Sequence, residues 1–250
     1  MISLFRKIRK KLLTENRVTR YLAYAIGEII LVVIGILIAL QINLWNEGQK
    51  QAKSRRQFTE SLILELQKDS VFLKESINNL SNRIEMLQEI KDRINSPFAS
   101  LDTLDFIMKY EYNPSFVNPI GLNKNTFSTL ASSGQISLFN NQDAGQIQTY
   151  YQSALDIESF QIGQLDFYRD TFSEFLEKVP SADNMTQYPL LDPGNLKEQI
   201  WKGVNMEEAR LQFGGITTLQ NHIFLTFRNM DRELFDSNQK LIQHLRENSQ

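Results

Sequence analysis

Apolar residues run almost unbroken from Tyr21 to Leu40. The stretch reads YLAYAIGEIILVVIGILIAL, twenty residues with one charge, Glu28. As an α-helix it would be about 30 Å long, the thickness of a bilayer's hydrocarbon core. Tyr21 and Tyr24 stand at one end and Trp45 at the other, where interfacial aromatic residues belong. The core helix of a soluble bundle keeps a polar face, and this one has none. A cleaved signal peptide fits no better, because some twenty residues precede the apolar run and no A-x-A-like site follows it. The pattern predicts an uncleaved transmembrane anchor over 21–45.

Beyond the anchor the period changes. Ile63, Leu66, Ser70, Leu73, Ile77, Leu80, Ile84, Leu87, Lys91 and Ile94 follow a 3-4 spacing, and eight of these ten are apolar. That is a heptad seam, so the helix is expected to continue from the span as a stalk over about 50–95. Asn95-Ser96-Pro97 stops it. Short helices are predicted over Leu101–Tyr110 and Thr126–Ser133, the second with Asn125 as N-cap and Gly134 just past its end. A long helix over 141–178 carries Ile147, Tyr151, Leu155, Ile162, Leu165, Phe172 and Leu176 as its apolar stripe. After a proline-containing loop, Asn195–Gln212 reads as helix, and Gly214-Gly215 is expected to break it. A last helix over 216–246 places Ile223, Phe227, Met230, Leu234, Leu241 and Leu245 on one face. The expected fold is all-α: one N-terminal transmembrane helix continuing into an antiparallel bundle of long helices over 46–250.

Composition fits that reading. The chain of 250 residues holds 11 Gly and 6 Pro, and every proline falls between Pro97 and Pro193. The absence of cysteine excludes disulfides, thiolate metal sites and a cysteine nucleophile. A net charge of −2 argues against nucleic acid as a partner. The charge is uneven, however. Residues 1–20 hold seven Lys/Arg and one acid, while Lys50, Lys53, Arg55 and Arg56 follow the span. Seven against four puts the N-terminus in the cytoplasm and the bulk of the chain outside, in the periplasm if the membrane is a bacterial inner one. Within the arm 1–20, Leu4, Phe5, Ile8 and Leu12 share one helical face. Arg6, Lys7, Arg9, Lys10 and Lys11 lie opposite, suited to an anionic leaflet of the lipid bilayer.

The span also carries polar and small residues. A carboxylate such as Glu28 in hydrocarbon is costly, which makes it a functional hypothesis by default. Ala23, Gly27, Gly35 and Ala39 form a row of small residues beside it, interrupted by Leu31. Such rows let helix backbones approach, so a contact with a second copy or another membrane protein is expected here.

The run FRKIRKKLLTENRVTRYLAYAIGEIILVVIGILIALQINLWNE resembles the N-terminal signature of a family of uncharacterised, single-span membrane proteins of flavobacteria and related Bacteroidetes. A second stretch, TFSTLASSGQISLFNNQDAGQIQTYYQ over 126–152, is similar to that family's other recurrent motif. The resemblance implies a bacterial inner-membrane protein with a helical extramembrane part. It hands over no catalytic residues.

Catalytic constellations are not evident. His222 and His244, the two histidines, are 22 residues apart on one predicted helix, or about 33 Å. Glu207-Glu208 and Glu85/Glu89 read as solvated acidic faces without a Glu-x-x-His pair, and Ser132-Ser133-Gly134 as a helix end. No enzyme activity, cofactor or metal is expected. The sequence points to a membrane-anchored helical interaction, scaffold or accessory protein. The alternative is a ligand-sensing periplasmic bundle that signals through a membrane partner. An apolar pocket between helices that binds a small molecule and changes the bundle's stability would favour the alternative. A cluster of buried, mutually bonded polar residues would favour an enzyme, and a uniformly apolar core would exclude one.

Overall fold

The computed structural model describes residues 18–180 and 197–248, which contain six α-helices. These are α1 (Val18–Ile94), α2 (Leu101–Phe106), α3 (Asn125–Ser132), α4 (Asn141–Lys178), α5 (Lys197–Lys202) and α6 (Met206–Glu247). A π turn (Ile107–Glu111) follows α2, and a 3₁₀ turn (Gln135–Leu138) follows α3. Among the described residues there is no strand. The chain divides into two units after Gln57.

In the first unit, α1 presents apolar side chains in every direction. Each large one from Leu22 to Trp45 is at least 45% exposed. This is the one helix among the described residues long and apolar enough to cross a membrane.

In the second unit three long helical stretches pack together. Ser70 and Ser76 of α1 bond to Asn238 and Asp231 of α6, so the two helices are antiparallel. Tyr150 and Gln161 of α4 meet the same two residues in the same order. Both α1 and α4 therefore run against α6 and with each other, and the segment 95–140 returns the chain between them. Two apolar clusters fill the interior. One gathers Leu62, Leu66, Leu73, Ile147, Tyr151, Leu234 and Leu241. The other gathers Leu80, Ile107, Tyr112, Leu165, Phe175, Phe213 and Phe227.

Three details depart from the sequence reading. The stripe on α4 is rotated: Leu155, Ile162 and Leu176 are exposed, while Ile147, Ala154, Gln161, Tyr168 and Phe175 form the buried row. Two successive steps of four residues overshoot a full turn by about 80°, whereas steps of seven nearly close it. Asn125 is the first residue of α3 and not its cap, a position held by Lys124. The free N–H of Thr126 is instead accepted by both carboxylate oxygens of Glu65, reaching over from α1 at 3.2 Å. Gly134 does take the left-handed conformation expected beyond a helix end, with φ 70°.

The third departure concerns the last helices: the one expected over Asn195–Gln212 is interrupted between Lys202 and Met206, and α6 runs through Gly214-Gly215 without a break. Two helical glycines cost about 1 kcal/mol each. Phe213 and Ile216 beside them are buried, and each contributes about 1.5–3 kcal/mol. The packing wins. A Cβ added at either glycine meets nothing within 4 Å. Gly214→Ala and Gly215→Ala are each expected to stabilise the protein by about 0.5–1 kcal/mol, read as a raised melting temperature. Destabilisation by either would show that the glycines are needed.

Candidate functional site

Between the two apolar clusters lies a polar layer. Asp231 on α6 is fully buried; its Oδ2 accepts from Ser76 Oγ at 2.6 Å and its Oδ1 from Gln161 Nε2 at 2.9 Å. Gln161 Oε1 in turn accepts the backbone N–H of Ile120 at 2.8 Å. Two turns further along α6, buried Asn238 accepts from Ser70 Oγ at 2.5 Å and donates to Leu66 O and Tyr150 Oη. Asp69 on α1 accepts from the backbone and side-chain nitrogens of Asn123 at 3.0 and 2.7 Å. Burial raises the pKa of Asp231 and of Asp69 above the ordinary 3.8, and the hydrogen bonds hold them back only partly. No ion pair to Asp231 or Asp69 is present among the described residues.

Residue type alone does not mark Gln161, Asp231 and Asn238 in the sequence. Spacing could have exposed them. Gln161 falls in the heptad row between Ala154 and Tyr168, and Asp231 and Asn238 fall between Phe224 and Leu245, seven residues apart at each step. Of the two histidines, His222 is exposed, while His244 Nε2 lies 2.7 Å from Asp143 Oδ1, beside Asn248.

A second polar set opens to solvent. Carbonyls at 113–115 are held by one side chain from each long helix. Arg83 Nη1 donates to Ser115 O and Oγ, Tyr168 Oη to Pro114 O at 2.7 Å, and Gln220 Nε2 to Asn113 O and Ser115 O. The π turn makes this possible, because its wider coil turns Ile107 and Met108 inward and delivers Tyr112 to the core. Tyr112 meets Phe213 and Phe175 edge-on, with ring centroids 5.0 and 6.0 Å away. Above these residues a groove of about 280 Å³ runs between α1, Glu111–Asn113 and α6. Leu87, Ile90 and Phe224 supply its apolar surface, and the Arg83 guanidinium sits 5.6 Å from the Phe224 ring centroid. Burial lowers the Arg83 pKa.

The residues singled out in the anchor lie on α1. Among the described residues nothing packs on Gly27 or Gly35, where an added Cβ would meet no atom within 4 Å. Glu28 is partly buried and Ala39 exposed; Ala23 belongs to the same helix. The row belongs to the first unit, the polar layer and the groove to the second. Arg6, Lys7, Arg9, Lys10 and Lys11 lie outside the described residues, as does most of the proline-containing loop.

Fold and site define an all-helical protein with one helix able to cross a membrane and a bundle organised about buried polar residues. The chain belongs to a family of unknown function (DUF6090), which it matches over residues 28–155, just over half its length. No curated protein matches the chain, and no solved structure does.

The raised pKa of Asp231 has a definite sign. The folded protein holds that proton more tightly than the unfolded chain. Asp231 therefore contributes most below its ordinary value, and the contribution is lost as pH rises through the higher native one. Asparagine has the same shape without the charge. The melting temperature of Asp231→Asn minus that of the unaltered protein is expected to rise from about pH 4 to about pH 8. A flat or falling difference contradicts the assignment.

Proposed function

We propose that this chain is a membrane-anchored helical interaction module, a scaffold or accessory protein with no catalysis of its own. Its arm before Tyr21 lies in the cytoplasm against anionic lipid, α1 crosses a bacterial inner membrane near Tyr21–Trp45, and residues 46–250 lie in the periplasm. One observation carries the reading: the helix from Leu22 to Trp45 exposes apolar side chains all round. Left in water, a patch of that size would cost about 25 cal/mol for each Å². Lipid removes the cost. Seven basic residues before the span and four after it support the orientation. In hydrocarbon, Glu28 gains most by hydrogen bonding across a helix contact, and the row Ala23, Gly27, Gly35, Ala39 leaves room for a second backbone. That contact joins the chain to itself or to another membrane protein.

The buried, mutually bonded polar layer is the feature that would favour an enzyme; its Asp231, Gln161 and Asn238 are at most 1% exposed, and this closure to any substrate is what supports the non-catalytic reading. A second reading, a ligand-sensing bundle, is favoured by the groove beside Arg83.

The natural lack of cysteine makes topology measurable with one substitution. Ser132 on α3 is exposed. With Ser132→Cys in spheroplasts, a membrane-impermeant maleimide is expected to label the protein without lysis, and the protein should stay in the membrane pellet through alkaline carbonate. Labelling only after lysis overturns the orientation, and release by carbonate overturns the anchor.

A further inference from the structure

Two polar groups in the groove beside α1 are left incomplete by the protein itself. Arg83 donates through Nε to Asn79 Oδ1 and through Nη1 to Ser115, while its Nη2 meets no acceptor among the described residues. No carboxylate forms an ion pair with it there, although half-buried charges are ordinarily paired. Glu111, on the opposite wall, has both oxygens engaged by Arg93. Gln220 is 2% exposed, and its amide nitrogen donates to two carbonyls, which fixes the orientation of the amide. Its Oε1 is consequently a buried acceptor, and no donor among the described residues reaches it. Water-exposed helix surfaces do not collect a free guanidinium edge, an unfilled amide oxygen and an apolar face within one concavity unless something complements all three.

We propose that this groove binds a small monocarboxylate bearing an apolar group and a neighbouring N–H, of the size of one acylated amino acid. The carboxylate pairs with the Nη2 edge of Arg83, the apolar group covers Leu87, Ile90 and Phe224, and the N–H donates to Gln220 Oε1. A single cation selects a monoanion over a phosphate, and a volume of about 280 Å³ limits the ligand to one such unit. The site is separate from the anchor contact and stands whether or not that contact forms.

The test is calorimetric titration of the full chain in non-ionic detergent with three probes: N-acetyl-L-phenylalanine, its uncharged carboxamide, and hexanoate. N-acetyl-L-phenylalanine is expected to bind saturably at one site, with the carboxamide weaker by about tenfold or more. Hexanoate, which lacks the N–H, is expected to bind several-fold more weakly. Arg83→Gln should reproduce the loss seen with the carboxamide. Met86→Trp, at the exposed lip of the groove, should abolish binding with the melting temperature unchanged; it also serves as the blank for uptake by detergent and as the deciding variant if Arg83→Gln does not fold. Absence of saturable binding at about 10 mM, or equal binding by Met86→Trp, overturns the site. Equal binding of the carboxamide overturns the role of Arg83, and equal binding of hexanoate overturns that of Gln220.

Discussion

Asp231 is a carboxylate buried where three long helices meet, with hydrogen bonds but, among the described residues, no ion pair. The rest of the bundle is arranged around satisfying it. Leucine and isoleucine seams tolerate sliding, because one apolar contact replaces another at similar energy. Hydrogen bonds do not slide. Ser76 and Gln161 reach Asp231 in one register of α1, α4 and α6, and a shift would leave several buried groups without partners at about 1–3 kcal/mol each. Gln161 extends the constraint further by taking the N–H of Ile120, which ties the crossing segment to the same layer. Asn238, bonded to Ser70 and Tyr150, repeats the device two turns along α6.

From that register follows the position of the groove in the second unit. With 112–124 fixed across the bundle, Arg83, Tyr168 and Gln220 converge on the carbonyls at 113–115, one from each long helix. Their spare valences are what remain in the groove. The polar layer is closed and the groove is open, so one group of polar residues orders the helices and the other faces outward. Among the described residues, a carboxylate without a counter-ion inside and a guanidinium without one outside are separate consequences of the same packing.

The long helices were legible because their signals are local and repeated: proline stops, an unbroken apolar run, and 3-4 spacing over many turns. What escaped was non-local. Gln161, Asp231 and Asn238 are polar residues in apolar rows, and the partners described above lie 41 to 172 residues away. Nothing near Thr126 in sequence announces that Glu65 caps α3, 61 residues earlier. The Gly214-Gly215 pair misled because intrinsic propensity is weak beside the burial of Phe213 and Ile216. In the anchor the reverse holds. Its reading rests on composition alone, and an apolar helix that exposes every side is what composition can announce. The groove had no sequence signature, because Arg83, Tyr112 and Gln220 come from three separate segments and only the fold brings them near each other.

In the proposed reading, membrane attachment and partner binding meet in Glu28, whose carboxylate is costly in hydrocarbon and gains from a hydrogen bond across a helix contact. The most direct measurement is crosslinking in intact membranes, followed by purification of the full chain and a stoichiometric count of whatever is attached, for the unaltered protein and for Glu28→Leu. The account predicts one attached polypeptide, a second copy or a distinct membrane protein, in near-equal amount, and its loss from Glu28→Leu. Recovery of the chain alone, or an unchanged complex in Glu28→Leu, would contradict it.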